Sequence, residues 1–420
     1  MKIQKQKDFF KVPSENNTNL KIKTQSQISE NESFLLKKAG LDDLAPIESW
    51  TAIGTNAQLA YSTHGIVRFF GKFPPPIANH LIAKHTAKNG TVLDPMTGSG
   101  TTGVEALLAQ RNSLLFDVNP LMIKIAKVKT TYIPSELLIE NLKKIQSDYE
   151  NENYNFELSL PIGLRDPNHW FLPETIKSLS KISNIIQTID LKEVKDFFQI
   201  VFAGIVRRVS KATTQQGRLF LDIKTAQQDA FPFFLKKSKL AIERVSSLPN
   251  HQESQVKIFK NDIREPFPNR FNEVADLVIL HPPYFNSYKF SRVNALELGW
   301  LGIDPAEIRK KEVKEFFKVG KSENIGRYVD DMAQGLKGAF EVLKTGGVLA
   351  LMVGDTIIKD EYIPTTKMLI ERCTNKKILV ETVAIRVPKY TEASWAASQR
   401  RLKNSLGIKL FDFVITFRKR

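Results

Sequence analysis

Two short segments gather residue types that bind and activate small groups. The first is Asp94-Pro95-Met96-Thr97-Gly98-Ser99-Gly100-Thr101-Thr102-Gly103. Gly98 and Gly100 let the backbone turn tightly and approach a ligand without an intervening Cβ. TVLD before the turn reads as a short buried strand and VEALLAQ after it as a helix. Unpaired N–H groups at the helix start therefore point at whatever the turn holds. Asp117 ends the next strand, about 20 residues on, where an acidic side chain accepts hydrogen bonds from ribose hydroxyls. Asp262 ends a third strand, where a carboxylate receives an adenine amino group. The run GSGTTG also fits the dinucleotide fingerprint G-x-G-x-x-G, so the glycines leave open an NAD-dependent enzyme, and equally a purely structural turn. They exclude a phosphate-binding P-loop, because no Lys follows the last glycine.

The second segment is His281-Pro282-Pro283-Tyr284, which follows the apolar run DLVIL. That places it at the carboxyl edge of a sheet, where open α/β folds bind ligands. Two consecutive prolines fix φ and remove two N–H donors, leaving local carbonyls to accept from a substrate amine. Tyr284 offers a planar face for a heteroaromatic ring. Acceptors for an amine beside a clamp for its ring suit amine modification and serve no purpose in a dehydrogenase.

Positioning these segments requires a parallel α/β sheet. From Thr91 the pattern runs strand, turn, helix, strand (SLLFDVN), helix (PLMIKIAKVKT). It resumes at QVKIFKNDI and ADLVILHPPY, then a helix near YVDDMAQGLKGAFEVLK, and the strands GGVLALMVGD, ILVETVAIRV and FDFVITFRK. No obvious helix separates the last two, so an antiparallel edge is expected there. Between the halves, Ile176, Leu179, Ile182, Ile186 and Ile189 share one helical face, and FFQIVFAGIVRRV reads as a buried helix. The expected organisation is an N-terminal extension over 1–60, partly disordered, a catalytic core over 61–134 and 256–420, and a helical insertion over 135–255. FNSYKFSRVNALELGWLG, after the second segment, either lines a base pocket or packs Leu296 and Trp300 into the core.

Taken together, the two segments resemble a known family. DPMTGSGTT is similar to the cofactor motif D-P-F-x-G-S-G-T of the amino-directed DNA methyltransferases, which modify N6 of adenine or N4 of cytosine, and HPPY to their catalytic motif D/N/S-P-P-Y/F. RFFGKFPPPIANHLIAKHT, which contains Phe73, resembles the segment that walls the methionine pocket in those enzymes. The resemblance implies a Rossmann-like class I methyltransferase, with about seven strands in a mostly parallel sheet and a helical insertion. It implies S-adenosyl-L-methionine as cofactor, its methionine half lined by Phe73, Asp94, Pro95, Met96, Gly98, Gly100 and Thr101. Asp117 would hold the ribose, and Asp262 with Ile263 the adenine. His281, Pro282, Pro283 and Tyr284 would receive the flipped base, its amine donating to His281 and the Pro282 carbonyl. Met96 stands where the family has Phe, a tolerable exchange of apolar fillers. His281 stands where it has Asp, Asn or Ser. A neutral imidazole can accept from an amine and a protonated one cannot, so activity should fall at acidic pH. The pattern PPYxNSYxxxRxxxLELxWLG resembles members assigned to cytosine N4. Adenine N6 and a catalytically degenerate DNA-binding subunit stay open.

Composition fits a polyanionic partner. The chain of 420 residues carries 61 Lys and Arg against 45 Asp and Glu, a net charge of +16. Double-stranded DNA is the expected partner, with a cognate restriction endonuclease in a restriction-modification or defence setting. Arg207, Arg208 and Lys211, together with Arg400, Arg401 and Lys403 after Trp395, are candidate phosphate contacts. The one cysteine, Cys373, excludes an internal disulfide framework and a multi-cysteine zinc site. No apolar run reaches transmembrane length, and a cytoplasmic location without membrane attachment is expected.

Overall fold

The computed structural model describes residues 22–52, 58–68, 71–215, 218–225, 227–250, 254–285, 290–313, 324–358, 360–387 and 408–420. Strands β1 (Ile22–Gln25) and β2 (Ile47–Ala52) flank helix α1 (Glu30–Ala39). Helix α2 (Pro75–His85) leads to β3 (Thr91–Asp94), α3 (Thr101–Leu108), β4 (Asn112–Asp117) and α4 (Pro120–Thr130). Next come α5 (Ser135–Glu150), α6 (Pro167–Trp170), α7 (Pro173–Gln187) and α8 (Lys192–Val209). A hairpin, β5 (Ala212–Gln215) and β6 (Arg218–Leu221), precedes α9 (Phe231–Ser246). The sheet resumes with β7 (Val256–Lys260) and β8 (Ala275–Leu280), followed by the short helices α10 (Phe290–Val293), α11 (Ala295–Trp300) and α12 (Pro305–Lys311). Helix α13 (Asn324–Glu341), β9 (Leu343–Gly354), the hairpin β10 (Thr356–Ile358) and β11 (Glu361–Ile363), α14 (Thr365–Cys373), β12 (Ile378–Arg386) and β13 (Asp412–Lys419) complete the chain.

The main sheet has nine strands in the order β1-β2-β12-β13-β9-β8-β3-β4-β7. From β7 to β9 every neighbouring pair is parallel. Chain order reverses between β3 and β8, which makes their carboxyl ends the topological switch point of a doubly wound sheet. The expected antiparallel pair exists, but it is not an edge. β13 runs antiparallel to both β12 and β9 and lies between them. The apolar run Phe413 to Phe417, fully buried, suits such an interior strand. The edge beyond β12 is instead extended by β2, parallel to it, and by β1. Helix α1 between them opens on a Ser29–Glu32 capping box and closes on Gly40 in the left-handed region.

Both faces of the sheet are covered. Helices α13 and α14 supply Met332, Leu336, Leu369 and Ile370 to one core, and α2 supplies Ile77, Leu81 and Ile82 to the other. Helices α4, α5, α7, α8 and α9 build a separate apolar cluster around Phe197, Phe202 and Phe234. Leu296 and Trp300 of α11 are buried in that cluster, the packing alternative raised for this segment. Among the described residues no helix is long and apolar enough to cross a membrane.

Candidate active site

The glycine turn leaves the carboxyl end of β3, and its own carboxylates hold it. Asp94 accepts from the Met96 N–H (3.0 Å) and the Thr102 hydroxyl (2.6 Å). Asp117, at the end of β4, accepts from the N–H groups of Gly98 and Asn119, each at 2.8 Å. Gly98 and Gly100 have φ of 49° and 77°, conformations that favour glycine. At Gly100 the need is also steric, because a Cβ would sit 2.8 Å from the Ala126 Cα on α4. The missing side chain there admits a helix rather than a ligand. Burial pushes the Asp94 carboxyl up to about 7 and that of Asp117 up to about 6, against the hydrogen bonds they accept. Their electrostatic neighbours add to the rise: Asp117 acts on Asp94, and Glu312 on Asp117. Such a pair is set to welcome a cation and a hydroxyl donor.

A methionine-derived sulfonium nucleoside fits this turn. Besides the carboxylates, the buried hydroxyls of Thr97 and Thr101 have no hydrogen-bond partner among the described residues, so polar groups there await a ligand. Asp262, just past β7, is gripped by Arg264 through Nε (2.8 Å) and a terminal nitrogen (2.5 Å), which holds its carboxyl below the usual range despite burial. Ile263 is buried, with its side chain against Gly335 of α13.

The His-Pro-Pro-Tyr turn leaves the carboxyl end of β8. β8 is hydrogen-bonded to β3 with Leu93 opposite Val278, so the two turns emerge side by side. The His281 Nε2 lies 3.2 Å from the Tyr284 hydroxyl, and the rings meet edge-on. Phe73 packs edge-on against His281, with centroids 5.3 Å apart, joining the upstream segment to this turn. A second contact sets Phe290 of α10 against Gly71. Sequence reading left both proline carbonyls free, but that of Pro283 accepts from the buried Tyr328 hydroxyl of α13 at 2.8 Å. Burial pushes the Cys373 thiol, at the end of α14, up to about 12, as suits a packed side chain.

One cluster escaped sequence reasoning. Glu105, fully buried on α3, accepts from the Tyr61 hydroxyl (2.6 Å) and the Asn79 amide (3.1 Å), and its carboxylate meets the His64 Nε2 at 2.7 Å. Burial pushes Glu105 up to about 7 and His64 well below its ordinary value. Buried Lys129 of α4 donates to the Ser99 carbonyl at 2.5 Å, tying this cluster to the glycine turn. The signal was a lone acid in the otherwise apolar helix TTGVEALL, preceded by Tyr61 and His64.

The expected phosphate contacts fare unevenly. Arg207 is committed inside the protein, to Glu297 at 2.6 Å and to the Val293 carbonyl at 2.7 Å. Lys211 donates to the Asn168 carbonyl, and Arg208 lies over the Phe233 ring. Trp395, Arg400, Arg401 and Lys403 lie outside the described residues.

Strand order and the paired turns define a Rossmann-like, doubly wound α/β fold. Residues 3–128 match the family model described as DNA methylase. Over 232 residues the chain is 28% identical to the type II methyltransferase M.MvaI of Kocuria varians, covering 50% of each. Over 288 residues it is 24% identical to the type II methyltransferase M.BsoBI of Geobacillus stearothermophilus, covering 59% of this chain and 54% of the relative. These matches span about half the length of either relative. The solved structure of the rRNA methyltransferase aviRa from Streptomyces viridochromogenes aligns with 68% of this chain and 77% of its own at 12% identity, with a TM-score of 0.27. The matched stretches make the chain similar to the amino-directed DNA methyltransferases.

Proposed function

We propose that this protein is a site-specific DNA methyltransferase that carries a methyl group from S-adenosyl-L-methionine to the exocyclic amine of a base flipped out of the duplex. The juxtaposition that carries this reading is the glycine turn and the His-Pro-Pro-Tyr turn ending the adjacent strands β3 and β8, with Phe73 bridging to His281. Bound at the first turn, the cofactor would supply an electrophilic methyl, its sulfur departing as a neutral thioether while the methylated amine loses one proton to solvent. Asp117 accepts from the ribose hydroxyls, and the Thr97 and Thr101 hydroxyls meet its methionine half. At the second turn the base stacks on Tyr284, which offsets part of the few kcal/mol of unstacking. His281 and the Pro282 carbonyl accept from the base amine. They hold its nitrogen lone pair toward the donor, so positioning supplies much of the acceleration. The commitment of Asp262 to Arg264 leaves that carboxylate lone pairs enough for one further donor, the adenine amino group. Cytosine N4 is the preferred target on the likeness of PPYFNSYKFSRVNALELGWLG to members assigned to it, with adenine N6 the alternative. The setting is restriction-modification, with a cognate endonuclease.

The test is transfer of tritiated methyl groups from the cofactor to unmodified genomic DNA by the full chain, followed by methylation-sensitive sequencing. Label confined to one amine in one sequence context is the expected result. Cofactor binding by calorimetry with no label in DNA would favour a catalytically inert subunit and overturn the reading.

A further inference from the structure

We propose that the hairpin β5–β6, with the residues just after it, is a DNA-gripping ribbon held beside the base site; this rests on the methyltransferase reading above. Arg207 fixes its position. One guanidinium donates to Thr214 of β5 (3.0 Å) and to the Val293 carbonyl that ends α10 (2.7 Å), and pairs with Glu297 of α11 (2.6 Å). Helices α10 and α11 are the first elements after the His-Pro-Pro-Tyr turn, and β6 packs against α10. The base of the ribbon is closed by the Asp222 N–H on the Lys211 carbonyl (2.5 Å) and by Lys211 on the Asn168 carbonyl (2.7 Å).

This ribbon presents clustered apolar side chains to solvent. Phe220, Leu221 and Ile223 are 40%, 46% and 68% exposed. Phe220 and Leu221 are consecutive strand residues and so point to opposite faces, which leaves apolar side chains on both sides of the ribbon. A two-stranded ribbon is marginal by itself, and its exposed apolar groups contribute nothing to the core. The surrounding charge selects the occupant. Residues 207–239 hold eight Lys or Arg against two Asp. Arg208, Lys224, Lys236 and Lys239 are exposed, whereas Asp229 is tied up by Tyr149, Ser178 and the Phe231 N–H. A two-stranded ribbon fits the major groove, and Phe, Leu and Ile side chains wedge between base steps where a duplex must be opened. Lysines around such a wedge take the phosphates. The Arg207 anchorage would let the ribbon hold the duplex at a fixed distance from the pocket that receives the base.

The experiment compares the full chain with the triple variant Phe220→Ser, Leu221→Ser, Ile223→Ser. DNA binding and methyl transfer are measured on genomic DNA lacking the modification, alongside cofactor calorimetry, thermal unfolding and sedimentation. The expected result is a rise in Kd for DNA of about tenfold or more with unchanged cofactor affinity and unchanged unfolding. The second variant, Arg208→Ala with Lys224→Ala, should reduce the slope of log Kd on log salt by about two. DNA affinity within twofold of the unaltered chain, in a chain that methylates DNA, overturns the inference and spares the functional reading. A triple variant that instead loses self-association, at unchanged DNA affinity, assigns the ribbon to a second copy and also overturns it. An unaltered chain that neither binds nor methylates DNA removes both.

Discussion

At the glycine turn, Asp94 and Asp117 take up the N–H groups of Met96, Gly98 and Asn119 and the hydroxyl of Thr102, so the loop is fixed by carboxylates belonging to the site itself. At the His-Pro-Pro-Tyr turn, two prolines remove donors, and the chain is fixed by ring contacts in front and one bond from Tyr328 behind. The first arrangement is shaped by its own hydrogen bonds, and burial biases its carboxyls toward the protonated form, a bias that a bound cation would oppose. The second takes its rigidity from φ and from packing, with the Pro283 carbonyl already engaged from behind. On the proposed function, a donor identical in every turnover would suit a fixed cradle, whereas a base delivered by a bulky polymer would suit a surface supported from the rear. Each turn thus has a front that meets a ligand and a back that holds it, and substitutions at four positions separate these roles.

The largest effect is expected at the front of the catalytic turn. His281→Ala removes the acceptor proposed for the base amine, and the turnover rate should fall by about a thousandfold while cofactor affinity stays unchanged in calorimetry. An active His281→Ala enzyme would move the acceptor role elsewhere and erase the contrast between the turns.

Next comes the back of the cofactor turn. Glu105→Leu leaves Tyr61, His64 and Asn79 facing an apolar side chain and strands buried Lys129 without a nearby carboxylate. Denaturant unfolding should register a loss of about 3 kcal/mol, the scale for one partner removed from a buried charged cluster. Glu105→Gln, which keeps an acceptor oxygen, should lose less. A loss under about 1 kcal/mol in the leucine variant would show the cluster to be solvated and the turn to be held by Asp94 and Asp117 alone.

The degree to which this could be read from sequence follows the same division. The glycine turn was legible because its requirements are local: Asp94, Gly98 and Gly100 lie within seven positions of one another, and Asp117 at a characteristic distance. The helix over Pro120–Thr130 and the strand over Ala275–Leu280 were legible from period and flanking turns. Partners brought together by the fold were not. Tyr328 reaches the Pro283 carbonyl across 45 positions and His64 reaches Glu105 across 41, and no spacing rule links them. Arg207 read as a free cation because its partner Glu297 sits on the far side of the hairpin and of two sheet strands in sequence. The place of β13 between β9 and β12 was equally hidden, since chain order makes the last strand look like an edge.

A third, moderate effect concerns the front of the cofactor turn and its dependence on pH. Burial raises Asp94 to about 7 and Asp117 to about 6, while in the unfolded chain both ionise near 3.8. Between those values the unfolded state holds fewer protons, so these groups make the ligand-free fold less stable as pH rises through that window. A cation and ribose hydroxyls favour the ionised forms, so cofactor binding releases protons, and its affinity should climb from about pH 5 to about pH 8. Asp117→Asn should weaken binding by about tenfold at neutral pH and flatten the lower part of that climb. Affinity independent of pH across this range would mean that the cradle is already ionised and needs no cation to complete it.

The smallest effect tests whether the catalytic turn is held from behind. Tyr328→Phe deletes one hydroxyl and keeps the ring that packs against Phe285. The lost bond is worth about 1 kcal/mol. If its only service were to stability, the whole of that would appear in unfolding, with kinetics untouched. If instead it orients the Pro283 peptide, and through it the Pro282 carbonyl and the Tyr284 ring, the turnover rate should fall about fivefold with little change in KM for DNA, because the fault lies in aim rather than in grip. A raised KM at constant turnover would show that the turn moves freely to meet its base, and that its rigidity comes from the two prolines alone.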